Sequence, residues 1–152
     1  MNKKERLVAA IENGTVIDHI PTTAVYQVIR ILGLEKYQDE VLIGNNLTSA
    51  KLGKKGIVKI KSKHFSKEEV NKIALVAPYA SIIDIENYEV KSKFQAEIPD
   101  VIEHIVRCAN PKCITNAEVV PTKFKVVDKG NLKLKCHYCE KFTTKETMKF
   151  SE

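Results

Sequence analysis

The sequence has no long hydrophobic run, although apolar residues make up 43% of its 152 residues. Its longest apolar stretch lies around "IALVAP", residues 73–78, and is far too short to cross a bilayer. The N-terminal "MNKKERLVAA" lacks the apolar core of a secretory signal peptide. We therefore expect a cytoplasmic protein without a membrane partner, with one or two small domains and a packed core.

The motifs of common catalytic sites are missing as well. There is no Walker-type or G-x-G-x-x-G loop, no G-x-S-x-G elbow and no H-E-x-x-H helix. The four histidines form no metal-ligand pattern; they are His19, His64, His104 and His137. The sequence therefore predicts a protein that is not an enzyme.

Cysteine is scarce, and its four occurrences lie in the last third of the chain. Cys108 and Cys113 stand in "CANPKC", and Cys136 and Cys139 follow in "CHYCEKF", with 22 residues between the pairs. Such turns direct two thiolates at one ion, and two turns complete a tetrahedral S4 site that suits zinc. We predict one structural Zn²⁺ ion with no coordination position open for catalysis. His137, between two ligands, is expected to face solvent.

The cysteine pattern allows three other interpretations. Two disulfides would require an oxidising compartment, which the N-terminal sequence does not indicate. A redox C-x-x-C motif would need a thioredoxin-like context, and nothing helical is predicted after Cys139. Iron also binds S4 sites, and the sequence leaves it open.

The charge of the chain is mild. Residues 1–100 carry 15 basic and 13 acidic side chains, and residues 101–152 carry 10 and 6, for a net charge of +6. Zinc held by four thiolates would lower the total to about +4. This is weak support for a phosphate-backbone partner, so no nucleic-acid partner is predicted.

The first hundred residues alternate strand and helix patterns. Two β-capable runs flank Asn13-Gly14, a helix pattern over "TTAVYQVIRILG" ends at Gly33, and two strands follow in "EVLIGNNL" and "GIVKIK". A capping box of Ser66 and Glu69 opens a second helix, and "SIIDIENYEV" reads as one more strand. This order predicts an α+β, ferredoxin-like antiparallel sheet (the split βαβ) with two helices.

The chain changes character near Pro99, and "KSKFQAEIPD" reads as a connection. Beyond it we expect strand-like "VIEHIV", the first cysteine turn, and a hairpin over "FKVVDKGNLKLKC" that turns near Gly130-Asn131. We place one domain at residues 1–98 and a small all-β zinc-binding domain at 99–152. About 50 residues bury little core, so the ion would stabilise the second domain.

"GTVIDHIP" ends a predicted strand with an acid and an imidazole. Asp18 and His19 form either a solvated edge pair or a site for ribose hydroxyls, a metal or phosphate. Lys59 on the third strand, and Lys91 and Lys93 after the fourth, would supply positive charge to such a site. Each lysine taken singly is typical of a solvated surface.

The motifs together resemble a known family. "NGTVIDHIP", "IGNNL", "GKKGIVKI" and "APYASIIDIENYEV", followed by C-x4-C and "CHYCEKF", are similar to the regulatory chain of aspartate carbamoyltransferase over residues 7–142. The resemblance implies a non-catalytic subunit that binds nucleotide effectors, with CTP and UTP inhibiting and ATP activating pyrimidine synthesis. It also implies a homodimer through the N-terminal domain, and a holoenzyme of two catalytic trimers bridged by three regulatory dimers.

By matching position, the resemblance also implies a nucleotide site. Ile11, Val16 and Tyr88 would frame the base, and Asp18 would face the ribose or a bound metal. His19 and Lys93 would face the phosphates, Lys59 would reach the ribose and base, and Val90 and Lys55 would line the same region. Ile83 stands where the family has Asn, and Glu5 stands where it has Lys.

The resemblance further implies a surface that contacts the catalytic chain. Its residues would be Asn110, Lys112, Glu140 and Lys141, with Lys112 replacing an Asn of the family. Without the family, Glu140 and Lys141 are typical of a solvated charged pair.

Two competing classes remain. A zinc-ribbon nucleic-acid module would use Lys123, Lys125, Lys133 and Lys135, but only Phe124 and Tyr138 are expected to be exposed aromatics in that hairpin. A small-molecule sensor would use the first domain alone.

Overall fold

The computed structural model describes residues 11–151 and separates into two compact units, with the division between Glu97 and Ile98. Glu5 and the first β-capable run before Ile11 lie outside the described residues. No helix in residues 11–151 is long and apolar enough to span a membrane.

The first unit is built on a five-stranded sheet. Its strands are β1 (Gly14–Ile20), β2 (Val41–Ser49), β3 (Gly53–Lys61), β4 (Ser81–Glu86) and β5 (Glu89–Gln95). They lie in the order β2-β3-β1-β4-β5, and every neighbouring pair is antiparallel. The first four strands have the ferredoxin-like order, so the predicted fold class is confirmed.

Two short helices belong to this unit. Helix α1 (Val25–Ile31) ends before Gly33, whose φ of 66° is the left-handed conformation that terminates helices. A 3₁₀ turn, Leu34–Lys36, follows α1. Helix α2 (Lys67–Asn71) starts at Ser66, whose Oγ accepts the Glu69 N–H at 3.1 Å, as the predicted cap requires. It continues as a second 3₁₀ turn, Lys72–Leu75.

Packing on β3 shows which face of the sheet α1 covers. A Cβ atom added at Gly56 would collide with Val25 Cγ2, so glycine allows α1 to lie directly on the strand. Side chains alternate along a strand, so Val58 and Ile60 share the face of Gly56. Ile57, Lys59 and Lys61 therefore occupy the opposite face.

The prediction that residues 91–100 are only a connection was wrong. Asn87 and Tyr88, with φ of 52° and 65°, form a tight turn that splits the expected single strand and starts β5. Lys91 and Lys93 therefore lie within β5 rather than after the last strand. Within the described residues this strand lies at the edge of the sheet, and it is polar and mostly exposed, so it carries no apolar alternation to reveal it.

The second unit combines two small sheets. Strands β6 (Val101–Glu103), β8 (Lys123–Asp128), β9 (Lys133–Cys136) and β10 (Phe142–Thr144) form the order β10-β9-β8-β6. Strand β7 (Val106–Arg107) pairs with β11 (Lys149–Phe150), and α3 (Ile114–Ala117) is a single helical turn. The β8–β9 pairing confirms the predicted hairpin. "VIEHIV" is not one strand, because His104 adopts a φ of 70° between β6 and β7.

The core of this unit corrects one further expectation. Phe124 is completely buried, with Leu134 and Ile102, rather than exposed for stacking on bases. The alternation of β8 explains this, since Phe124 and Val126 point inward while Lys123 and Lys125 point outward. Of the two aromatic side chains proposed to stack on nucleic-acid bases, only Tyr138 is therefore exposed.

Candidate metal centre and effector site

The four cysteines converge in the second unit. Their sulfur atoms all lie within 4.8 Å of one another. Cys108 Sγ lies 3.6 Å from Cys139 Sγ, and Cys113 Sγ lies 3.7 Å from Cys136 Sγ. A tetrahedral zinc ion with Zn–S bonds of about 2.3 Å separates its sulfurs by about 3.8 Å. The donor set therefore fits one zinc ion, and the separations are far too long for disulfides.

Hydrogen bonds fix the first cysteine turn. The Asn116 side-chain amide donates to the Cys108 carbonyl at 3.0 Å and to the Asn110 carbonyl at 2.8 Å. Thr115 Oγ1 donates to Cys113 Sγ at 3.2 Å. Both side chains come from α3, so this helical turn orients the metal ligands.

The second turn is held by its own backbone. The Glu140 N–H donates to the Cys136 carbonyl, and the Cys136 N–H donates to the Lys141 carbonyl, each at 3.0 Å. Glu140 adopts a φ of 62°, which lets the chain fold back after Cys139. The Ala109 N–H donates to Thr143 Oγ1 at 3.4 Å and joins the first cysteine turn to β10.

The thiols differ in acidity. Burial, with the neighbouring thiols, raises the pKa of Cys108 and Cys136 above the usual range. Burial also acts to raise the pKa of Cys139, but hydrogen bonds from the Lys141 backbone and the Asn110 side chain, together with the Cys108 and Cys136 thiols, outweigh it and lower that pKa to about 7. Zinc binding requires deprotonated thiolates, and its positive charge is what stabilises four of them together.

A row of four residues crosses the first sheet on the face opposite Gly56. Lys59 on β3 pairs with Val16 on β1, Val16 pairs with Ile83 on β4, and Ile83 pairs with Lys93 on β5. The row therefore places an apolar centre between two lysines. Val16 also packs with Ile11, Ile57 and Ile85 in an apolar cluster.

Asp18 and His19 lie two and three residues after Val16, toward the end of β1. Asp18 Oδ1 forms a 2.8 Å ion pair with Lys55 Nζ, and both side chains are nearly buried, at 10% and 11% exposed. A β-bulge interrupts the β1–β3 register here, and His19 takes a φ of 58° within it. The bulge directs His19 Nδ1 to within 3.3 Å of Ser81 Oγ, although Ser81 pairs with Asp18.

The other end of β1 brings the predicted base-framing residues together. Tyr88 N–H donates to the Glu12 carbonyl at 2.9 Å, so the β4–β5 turn lies against the segment that holds Ile11. The Tyr88 side chain is 60% exposed and that of Val90 is 50% exposed. Val90 pairs with Ile85 of the apolar cluster. An exposed ring beside a buried apolar floor is suited to a planar base.

Positive charge surrounds His19. Burial lowers the pKa of His19, and the charges of Lys55, Lys51 and Lys93 lower it further, against the opposing effect of Asp18. Burial also lowers the pKa of Lys59, which the charge of Asp18 partly offsets. Together, the charged side chains of this region carry a net charge of +3, which favours binding of a polyanion; they are Lys51, Lys55, Lys59, Lys93 and Asp18.

The four residues predicted to meet a catalytic chain lie beside the metal centre. Asn110 Oδ1 accepts the Lys112 N–H at 3.1 Å within the first turn, and Glu140 and Lys141 follow the last cysteine. Lys112, Glu140 and Lys141 are exposed, and Asn110 is partly buried. Each turn thus carries polar side chains close in sequence to cysteines of the same cluster.

Sequence reasoning missed several residues of both sites. Ser81 contacts His19, and the alternation of Ile83 and Ile85 extended back by two positions would have placed it on the same face. Thr115 and Asn116 fix the metal ligands, but no spacing rule points to them.

Comparison with known proteins identifies the family of both units. Residues 6–97 match the family "Aspartate carbamoyltransferase regulatory chain, allosteric domain", and residues 100–149 match the "metal binding domain" of the same chain. A Bacteroides thetaiotaomicron aspartate carbamoyltransferase regulatory chain is 52% identical over 145 residues, covering 95% of each chain. One from Pyrococcus horikoshii is 54% identical over 144 residues, covering 93% of this chain and 95% of the relative.

Proposed function

The chain belongs to the family of aspartate carbamoyltransferase regulatory chains, and on that premise we propose where it binds nucleotides and how it meets its catalytic partner. It is a non-catalytic chain with an allosteric domain and a metal-binding domain whose four cysteines fit one structural zinc ion. CTP and UTP act as inhibitors and ATP as an activator of the catalytic chains, in the cytoplasm.

The nucleotide occupies the face of the first sheet opposite α1. Ile11, Val16, Tyr88 and Val90 frame the base, and Lys59 reaches the ribose and base. Asp18 faces the ribose or a bound metal, and Lys55 holds Asp18 in place through their ion pair. His19 and Lys93 face the phosphates. The single observation that carries this assignment is the Lys59–Val16–Ile83–Lys93 row, because it joins an apolar floor to two cations in strand register.

Regulation requires that the nucleotide binds two states of the holoenzyme unequally. A difference of about 1–3 kcal/mol is typical of such coupling. The zinc domain carries the coupling to the catalytic chain through Asn110, Lys112, Glu140 and Lys141, which the metal centre holds in a fixed arrangement.

The regulatory chains form dimers through their first domains, and three such dimers bridge two catalytic trimers. Strand β2 offers a surface for the dimer, since it is an edge of the sheet within the described residues. Its side chains Leu42 and Ile43 are each 49% exposed. Exposed apolar residues on an unpaired edge are typical of strand-to-strand association.

The test removes one cation of the row at a time. Lys59→Ala and Lys93→Ala chains are assembled with catalytic chains, and CTP binding is measured by calorimetry together with the fractional change in activity. We expect the CTP affinity to fall by about tenfold or more in each, because a charge-assisted contact contributes about 1.5–3 kcal/mol.

The matched control is Lys72→Ala, which removes the same charge from an exposed position in the second 3₁₀ turn. Its CTP affinity should equal that of the unmodified chain. Full CTP sensitivity in both Lys59→Ala and Lys93→Ala would show that the nucleotide binds elsewhere.

A further inference from the structure

Lys51 lies outside the residues assigned above to the nucleotide, in the turn between β2 and β3. The turn is fixed at its base, because Ser49 pairs with Gly53 and Ser49 Oγ accepts the Leu52 N–H at 3.2 Å. Ser49 is buried, whereas Lys51 is exposed. The backbone of Lys51 is therefore held in place while its side chain remains available to a ligand.

The Lys51 side chain rests on an aromatic ring next to the phosphate end of the effector site. Its Nζ lies 5.8 Å from the centroid of the Tyr79 ring. Tyr79 precedes Ser81 by two residues, and Ser81 Oγ lies 3.3 Å from His19 Nδ1. The charge of Lys51 also acts on His19, together with Lys55 and Lys93.

The direction of β1 orders these groups along the bound nucleotide. Ile11 and Tyr88 lie near the start of β1, the Val16 row lies in its middle, and His19 lies near its end. Each strand residue advances about 3.3 Å, so His19 is about 10 Å beyond Val16 along the strand. A nucleotide with its base at Tyr88 therefore directs its phosphates toward His19, and the Lys51–Tyr79 pair lies at that same end.

We propose that Lys51 is a further effector-binding residue, which contacts the terminal phosphate of a nucleoside triphosphate, with the Tyr79 ring positioning it. This inference rests on the proposed function. An exposed cation–π contact is weak, so the ammonium group leaves the ring for a phosphate at small cost. The ring meanwhile keeps the flexible side chain near the site, which reduces the entropy lost on binding.

Binding of cytidine mono-, di- and triphosphate to the assembled holoenzyme tests this proposal. In Lys51→Gln we expect triphosphate affinity to fall about three- to fivefold, as for a partly solvated ion pair, with monophosphate affinity unchanged. Lys54→Gln is the matched control, since it removes an equal charge from the same hairpin at a position paired with Thr48. Lys51→Arg should retain the unmodified preference for triphosphate.

Each contrary outcome has a distinct meaning. An equal loss for all three nucleotides, or no loss for any, would overturn the assignment of Lys51 and leave the site itself standing. If the unmodified holoenzyme bound none of the three, the proposed function would fail and this inference with it.

Discussion

Loss of one zinc ligand should unfold the second unit while the first stays folded. Cys113→Ser replaces a buried thiolate ligand that lies 3.7 Å from Cys136 Sγ. Zinc binding to structural sites contributes about 10–16 kcal/mol at neutral pH. That is comparable with the whole stability of a typical domain, about 5–15 kcal/mol. The few large apolar side chains buried in this unit, chiefly Phe124, Leu134 and Ile102, do not replace such a contribution.

The assay is hydrogen exchange read by mass spectrometry. Each chain is first treated with a chelator, and its zinc content is then measured to establish whether it holds no zinc ion or one. In zinc-free Cys113→Ser, peptides from residues 100–150 should lose their protection, whereas those from residues 14–95 should keep it.

Thr115→Val is the control for this experiment, because it removes the hydrogen bond to Cys113 Sγ and keeps all four ligands. It should retain zinc and lose only about 0.5–1.5 kcal/mol of stability. If the zinc-free Cys113→Ser chain kept native protection in its second unit, the metal would not be what stabilises that unit.

Three further results are expected. Gly56→Ala should destabilise the first unit by about 1–3 kcal/mol in thermal unfolding, because the added Cβ collides with Val25. Gly130→Ala is the control: its Cβ would make only an ordinary contact, so the stability should change little. Equal losses of stability in the two variants would contradict the close packing of α1 on β3. Ser66→Ala should cost about 1 kcal/mol in urea unfolding through the lost cap, and an unchanged midpoint would argue against the cap. Bound phosphates should raise the lowered pKa of His19, so CTP binding is coupled to uptake of a proton. The ratio of the CTP affinity of the unmodified chain to that of His19→Gln should therefore rise as pH falls from about 8 to about 6. A pH-independent ratio would exclude His19; the charged groups facing it are Asp18, Lys51, Lys55 and Lys93.

Local sequence patterns were sufficient for part of the structure. The spacing of the cysteines predicts the metal centre because each turn carries two ligands within a few residues. The helix end at Gly33 and the cap at Ser66 are likewise set by neighbours in sequence. The family resemblance is confirmed by both matched domains and by the identity to regulatory chains.

Contacts between distant residues were not predictable in the same way. β5 is an exposed polar edge strand, so its pairing with β4 depends on the Asn87-Tyr88 turn rather than on hydrophobic alternation. The ion pair of Asp18 with Lys55 and the contact of His19 with Ser81 arise from sheet register and a bulge. Sequence could nominate such residues, but the pairing between them depends on the fold.

The central claim is that this chain joins a catalytic chain through its zinc domain and makes that partner responsive to nucleotides. The most direct test mixes the zinc-loaded chain with the aspartate carbamoyltransferase catalytic trimer of the same organism and measures mass by light scattering after size exclusion. We predict a new species that contains both chains and whose activity CTP changes. Two separate, unshifted peaks, with zinc confirmed in place, would contradict the claim.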